Sequence, residues 1–142
     1  MTYEETLHYL YTSIPVFQHS GASAYKPGLG TSIALDDYLG NPHKAYKTIH
    51  VAGTNGKGSV SHLLAAILRQ SGFKVGLYTS PHLVDFRERI RVNGKKISQD
   101  YVVDFVERHR SFFEPLHPSF FELTSSMAFE YFRDQQVDYA VI

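Results

Sequence analysis

The segment from Gly53 to Ser59 holds residue types and a spacing that could do chemistry. It reads Gly-Thr-Asn-Gly-Lys-Gly-Ser, and it lies between a β-branched run at 48–52 and apolar residues at helical spacing from Val60 onward. A glycine-rich turn between a strand and a helix can wrap backbone N–H groups around a phosphate, and the dipole of the helix points at the same anion. The segment therefore predicts a phosphate-binding loop.

Each residue type in this loop has a role in that interpretation. The glycines let the backbone pass close to a ligand, Lys57 would place its ammonium against the β- and γ-phosphates, and a hydroxyl of Thr54 or Ser59 could reach a phosphate or a metal. Lys57 is the predicted catalytic residue. The predicted nucleotide-binding residues are Gly53, Thr54, Asn55, Gly56, Lys57, Gly58 and Ser59.

The match to the strict G-x-x-x-x-G-K-[ST] pattern is incomplete. Val51 stands at the first glycine position, and Gly58 separates Lys57 from Ser59. A plain glycine-rich turn is the alternative reading. The strand before the loop and the amphipathic helix after it supply the context that a phosphate-binding loop needs, and they favour that function.

The elements that must position this loop predict an α/β fold. Apolar periodicity predicts helices at 2–14, 32–39, 60–71, 98–113 and 121–135, and strands at 48–52, 73–79 and 137–142. Residues 19–30 are expected to form a loop, and Asn93-Gly94 predicts a hairpin within 90–97 whose exposed lysines guard a sheet edge. The order of elements predicts a parallel sheet with flanking helices, of the P-loop NTPase type.

Composition narrows the class of protein. The 142 residues are 43% hydrophobic and contain 14 basic and 14 acidic side chains and no cysteine. This suits about one domain, excludes disulfides and thiolate metal sites, and gives no basic excess for a nucleic acid or a membrane. The N-terminus has no basic segment followed by an apolar run, so a cytoplasmic protein is expected. The oligomeric state cannot be inferred from the sequence.

Three motifs together resemble folylpolyglutamate synthase and dihydrofolate synthase, which are ATP-dependent amide ligases of the wider Mur ligase family. They are the loop at 53–59, the segment Leu77-Tyr78-Thr79-Ser80-Pro81-His82-Leu83, and Glu88-Arg89-Ile90. The resemblance covers nearly the whole chain and implies the central-domain fold of the Mur ligases. It also implies that residues 1–142 are the N-terminal part of an ATP-binding domain, with the rest of that domain and a C-terminal domain absent.

The resemblance implies a two-step reaction. The γ-phosphoryl group of ATP passes to a carboxylate of a dihydropteroate or folate, and the amine of L-glutamate then attacks the acyl phosphate. ATP and Mg²⁺ are the implied cofactors, and Ser80 is the implied magnesium ligand. A turn-capping role is the alternative for Ser80. The implied substrate-binding residues are Gly28, Thr31, His82, Ser119, Phe121 and Glu122.

Plainer roles remain open for several of these residues. Glu122 could simply stabilise a helix N-terminus, Phe120 and Phe121 could lie in the core, and His82 could be a surface or capping residue. The charged run at 87–89 is expected to be a solvated face with weak ion pairs.

Other functions remain open for the whole protein. A Mur-type cell-wall ligase, a P-loop kinase for a small metabolite, and a non-enzymatic nucleotide-binding module are the alternatives.

In the resembled family the terminal strand runs into a Glu-Val-Gly-x-Gly-Gly motif whose glutamate binds magnesium. The 142 residues alone are therefore expected to be inactive.

Overall fold

The computed structural model describes residues 1–14 and 28–142. Its helices are α1 (Tyr3–Ser13), α2 (Gly30–Tyr38), α3 (Lys57–Gln70), α4 (Gln99–Phe113) and α5 (Phe120–Asp134). Its strands are β1 (Lys47–Ile49), β2 (Val75–Tyr78), β3 (Ile90–Val92), β4 (Lys95–Lys96) and β5 (Tyr139–Val141). Every predicted helix and strand is therefore present. Of the predicted loop at 19–30, residues 19–27 lie outside the described residues, and Gly30 already belongs to α2.

The chain divides into two compact units. The first is helical and comprises residues 1–41 and 99–127, and the second contains the sheet and comprises residues 42–98 and 128–142. Short 3₁₀ helices at Pro42–Ala45, Phe86–Arg89 and Glu114–Leu116 connect longer elements of the described chain.

The helical unit has a core built by one face of each helix. Helix α1 begins with a capping box between Thr2 and Glu5, which satisfies backbone N–H groups of its first turn. On α4 one apolar face, with the spacing typical of a helix, is buried. The buried residues of α4 are Val102, Phe105, Val106, His109 and Phe113.

The second unit is organised around a five-stranded sheet of order β1-β5-β2-β3-β4. Strand β5 pairs in parallel with both β1 and β2, whereas β3 is antiparallel to β2 and to β4. The sheet is therefore mixed, because the predicted hairpin joins the three parallel strands. Strand β4 lies at the edge with both lysines exposed, as predicted for a guarded edge.

The hairpin turn takes the conformation that its residues favour. Asn93 has φ of 49° and Gly94 has φ of 80°, the two positive angles of a type I′ turn. The backbone N–H of Asn93 donates to the carbonyl of Val75, and the Asn93 side chain accepts from the Val75 N–H at 2.9 Å. These bonds tie the turn to the start of β2.

Helix α3 packs on the sheet with only part of its apolar surface. Leu64, Ala65 and Leu68 pack against a cluster of Val75, Leu77 and Val141. Val60, Leu63 and Ile67 also fit the helical spacing that begins at Val60, but they are about half exposed or more. These three residues lie on a neighbouring stripe of the helix, which faces away from the sheet. No helix among the described residues is long and apolar enough to cross a membrane.

Candidate functional site

The phosphate-binding loop and Ser80 follow parallel strands that end at the same edge of the sheet. Ile49 of β1 and Leu77 of β2 are both paired with Val141 of β5. Strands two positions apart lie roughly 10 Å from each other. The loop at 53–59 and Ser80 begin a few residues beyond these positions, at the carboxyl edge where α/β proteins place their ligands. The sheet therefore brings these two predicted parts of the site together.

The backbone of the loop explains two of its glycines. Gly53 has φ of 149° and Gly56 has φ of 76°, angles that other residues rarely adopt. Nothing lies within 4 Å of the Cβ that a side chain would add at either position or at Gly58. Glycine is required at Gly53 and Gly56 because of these backbone angles and not because neighbouring atoms crowd the positions. The space beside Gly58 is open to a ligand.

Helix α3 begins at Lys57, three residues earlier than the sequence pattern predicted. Gly56 is its N-cap, and the first helical bond runs from the Val60 N–H to the Gly56 carbonyl at 3.0 Å. The N–H groups of the first helical residues have no partner within a helix, and the helix dipole adds a partial positive charge there. Gly58 and Ser59 thus lie in the first turn, where their amides can bind an anion.

Lys57 turns back across the loop. Its ammonium donates to the carbonyl of Gly53, so the side chain closes the turn that the glycines make. All seven residues from 53 to 59 are exposed. The loop therefore presents one ammonium and several amides on an accessible surface, which suits the binding of a nucleotide triphosphate.

Ser80 is exposed just beyond β2, and the backbone before it is held in place. The Thr79 N–H donates to the Arg89 carbonyl at 2.9 Å. Mg²⁺ prefers several oxygen ligands, usually including a carboxylate. No group of three metal-binding side chains occurs among the described residues. The described chain therefore offers the Ser80 hydroxyl at this edge but no cluster of carboxylates or histidines that would complete a magnesium site.

The charged run at 87–89 is part of a structured loop, and its prediction as a solvated face is wrong. Glu88 accepts hydrogen bonds from the backbone N–H groups of Leu83, Val84 and Asp85 at 2.9–3.3 Å. The N–H groups of Asp85 and Leu83 are the main reason that the pKa of Glu88 lies below its ordinary value. One carboxylate thus satisfies three consecutive amides and fixes the path of the chain after Ser80.

Arg89 is buried within the same loop. It is 4% exposed, and its Nε donates to Nδ1 of His82 at 2.7 Å. Burial, followed by the charge of Arg89, lowers the pKa of His82. His82 is therefore half-buried and oriented by Arg89, rather than a simple surface residue. The capping-box spacing of Asp85 and Glu88 was the sequence signal that could have revealed this loop.

The remaining predicted substrate residues belong to the helical unit. Ser119 and Glu122 form a reciprocal cap at the start of α5, with bonds of 2.9 and 3.1 Å, and Glu122 also accepts from the Ser32 hydroxyl at 3.2 Å. Gly28 has φ of 83°, and Thr31 lies in the first turn of α2. Glu122 thus has the structural role that the sequence left open, and it ties α5 to α2.

Phe120 and Phe121 have different environments. Phe120 is buried and stacks on Tyr11 at 5.3 Å between ring centroids, whereas Phe121 is 58% exposed. The core interpretation therefore applies to Phe120. Phe121 leaves an aromatic face accessible at the start of α5.

Comparisons with known proteins give one consistent family. No family model matches the chain. The chain is similar to a dihydrofolate synthase/folylpolyglutamate synthase of Bacillus subtilis, with 39% identity over 123 residues, which cover 82% of the chain and 29% of the relative. The curated relatives are much longer, and the chain spans about a third of their length or less.

Solved structures agree with this result. A folylpolyglutamate synthase from Thermotoga maritima is 46% identical with a TM-score of 0.85, over 98% of the chain and 32% of that protein. A folylpolyglutamate synthase complex with AMPPCP and folate is 35% identical with a TM-score of 0.84, over 100% of the chain and 35% of that protein. The fold, the loop at 53–59 and these similarities agree, and the chain belongs to the folylpolyglutamate synthase/dihydrofolate synthase family.

Proposed function

We propose that the whole protein is an ATP-dependent ligase that forms an amide between a carboxylate of a folate or dihydropteroate and the amine of L-glutamate. The observation that carries the proposal is the loop at 53–59, whose ammonium and amides face an open surface at the carboxyl edge of the sheet. The relatives named folylpolyglutamate synthase and dihydrofolate synthase support the choice of reaction. The chain spans only part of their length, and segments beyond it would complete the proposed site.

Lys57 would serve the first step, in which a carboxylate oxygen attacks the γ-phosphorus of ATP and ADP leaves. The obstacle is repulsion between a carboxylate and a polyanionic phosphate. The Lys57 ammonium would leave the Gly53 carbonyl and bind phosphate oxygens, while the amides of Gly58 and Ser59 bind others. Such fixed positive groups lower the barrier by stabilising charge in the transition state.

The second step joins glutamate to the activated acyl group. The amine nitrogen attacks the acyl carbon, the bond to the phosphate oxygen breaks, and inorganic phosphate leaves. Water must be excluded, because it would hydrolyse the acyl phosphate. A family member has been solved in complex with AMPPCP, an ATP analogue, and folate. That complex supports a folate as the substrate whose carboxylate is phosphorylated in the first step.

Mg²⁺ is proposed as the metal that accompanies ATP. Ser80 would supply one hydroxyl ligand, and phosphate oxygens and groups from the rest of the protein would complete the coordination. When bound, the ion would neutralise phosphate charge. The role of the chain itself is to hold Ser80 at the sheet edge through the bond between Thr79 and Arg89.

Gly28, Thr31, His82, Ser119, Phe121 and Glu122 remain the proposed substrate contacts. Phe121 is the candidate for stacking on a flat heterocycle, because its ring is exposed. For Ser119 and Glu122 a substrate contact would be additional to their capping bonds. We further propose a cytoplasmic protein that acts on small molecules and binds neither nucleic acid nor membrane, in keeping with its balanced charge.

The test is ADP release by the full-length gene product with Mg²⁺, ATP and L-glutamate. Dihydropteroate and tetrahydrofolate are offered in separate reactions. We expect release that requires both glutamate and a pterin, and the pterin that works distinguishes the two branches of the family. Release that does not need glutamate would refute the ligase and favour a kinase. Activity with a cell-wall precursor instead of a pterin would favour a Mur-type ligase.

A further inference from the structure

A cavity lies between α3, from His62 to Arg69, and the hairpin, away from the loop at 53–59. Its volume is about 190 Å³, and its lining comes from α3, β2, β3 and the hairpin turn. The floor is apolar and includes Val75 and Leu77, which are almost fully buried. A cavity of this size is below the range of about 300–1,000 Å³ typical for larger ligands, so it suits a small molecule.

Two arginines stand among the polar groups around this cavity. His62, Arg69 and Arg91 line it together with Asn93, and none of the lining residues described carries a carboxylate. The chain as a whole has equal numbers of acidic and basic residues, so three basic side chains from two elements without an acid are a local excess. This charge favours an anion.

The guanidinium of Arg69 lies against the hairpin turn. Its Nη1 is 2.9 Å from the position that a Cβ would take at Gly94. The Arg69 side chain has no hydrogen bond or ion pair with another residue in the described ranges 1–14 and 28–142. A guanidinium that lies beside a cavity and has no acceptor among the described residues is available to bind a ligand.

Arg91 approaches the cavity from the sheet. Its Nε donates to the backbone carbonyl of Glu88 at 3.2 Å, which fixes the side chain. The carboxylate of Glu88 interacts with Arg91, but it is itself engaged by three backbone amides of the loop at 83–85. The charge of Arg91 is thus only partly compensated.

We propose that this cavity binds a small dianion, of the phosphate or dicarboxylate class, between Arg69 and Arg91. His62 would contribute a further donor, and Val75 and Leu77 would contact any apolar part of the ligand. Lys57 and Arg69 stand near opposite ends of α3, which separates them by about 18 Å at about 1.5 Å per residue. The site is therefore distinct from the nucleotide loop, and it does not depend on the ligase activity proposed above.

The experiment is a calorimetric titration of the full-length gene product with inorganic phosphate. AMPPCP and Mg²⁺ are present at saturation so that the nucleotide loop is filled. Arg69→Gln and Arg91→Gln remove one charge each, and Lys95→Gln is the matched control, since Lys95 is an exposed cation of the same hairpin outside the cavity. Succinate replaces phosphate in a second series. An NMR signal of the His62 ring, assigned with His62→Gln, reports binding at the cavity.

We expect phosphate, succinate or both to bind in the millimolar range or tighter and to shift the His62 signal. Loss of a charge-assisted hydrogen bond predicts binding roughly tenfold weaker in Arg69→Gln and Arg91→Gln and unchanged in Lys95→Gln. Succinate binding alone would identify a carboxylate ligand, and phosphate binding alone a phosphoryl group.

Three results would overturn the proposal. The first is that neither anion binds at millimolar concentration. The second is that Arg69→Gln binds the anion as tightly as the unmodified protein does. The third is that binding is seen only when AMPPCP is omitted. If Arg91→Gln does not fold, Arg69→Gln decides alone, because that exposed side chain makes no bond that the fold needs. These anion-binding results do not depend on ligase activity, so they would have the same meaning if the ligase assay failed.

Discussion

Gly76 is the position at which the sheet has no room for a side chain. A Cβ at Gly76 would lie 2.6 Å from Cδ1 of Phe132 and 2.8 Å from its Cγ and Cε1, whereas non-bonded carbon atoms pack at about 3.5–4.0 Å. Phe132 is fully buried, and Gly76 is in register with Ala140 of β5 and Val92 of β3. Neither the ring nor the strand can move without disturbing its neighbours.

The substitution Gly76→Ala should therefore destabilise the fold. Overpacking of a well-packed core costs about 1–3 kcal/mol of unfolding free energy. With a denaturant slope of about 2 kcal/mol per M, a loss of 2 kcal/mol lowers the urea midpoint by about 1 M. The assay is urea unfolding of the 142-residue chain, followed by far-UV circular dichroism.

Gly30→Ala and a second substitution at Phe132 provide the controls. Gly30 has no atoms within 4 Å of a built Cβ and begins α2, so alanine there should leave stability unchanged or raise it by up to about 1 kcal/mol. Phe132→Leu removes part of the ring, so its cost and that of Gly76→Ala should be less than additive, with a coupling of about 0.5–3 kcal/mol. A Gly76→Ala midpoint equal to that of the unmodified chain, or strict additivity, would refute the close approach.

Four further outcomes are expected. Lys57→Ala should lower turnover of the full-length protein by about 10²- to 10³-fold with unchanged circular dichroism, because it removes a charge from the transition state and nothing from the core. Ser80→Ala should raise the Mg²⁺ concentration needed for half-maximal activity in a magnesium titration. Because the folded-state pKa of Glu88 is lowered, its stabilising contribution is present above pH 4.5 and is lost as the pH falls through the folded pKa. The urea midpoint of the unmodified protein should therefore fall as the pH is lowered through that window. The fall should be smaller for Glu88→Gln, which has no carboxylate to protonate at this position. The isolated 142-residue chain should release little or no ADP.

Each of these expectations has a contrary result. Normal turnover by Lys57→Ala would contradict the proposed role of Lys57 in binding phosphate. Lys95→Gln is the matched control, because it also removes one cation and its turnover should be unchanged. An unaltered magnesium titration would return Ser80 to turn capping. Equal acid sensitivity of Glu88→Gln and the unmodified protein would mean that the three amides do not depend on the carboxylate. Robust ADP release by the isolated chain would show that 142 residues suffice.

The sequence by itself determined most of the elements and pointed to the loop at 53–59 as the candidate nucleotide-binding segment. Within residues 1–14 and 28–142, apolar spacing located the helices and the three parallel strands, since the faces of α1 and α4 and the short β-branched runs repeat with the periods of those structures. The loop at 53–59 was recognisable because glycines, a lysine and a hydroxyl must be adjacent in the chain to wrap one phosphate. Asn93-Gly94 likewise encodes its own turn.

Only the tertiary structure decided which groups meet across the chain. Sequence periodicity could not show that Val60 and Ile67 stay exposed, because burial depends on what lies opposite the helix. It also could not show that Arg89 is buried against His82, or that Arg69 and Arg91 line one cavity, since side chains from separate elements come together only when the sheet and helix pack. Local patterns report the period of an element, whereas the partners of a charge are set by the packing of the whole unit.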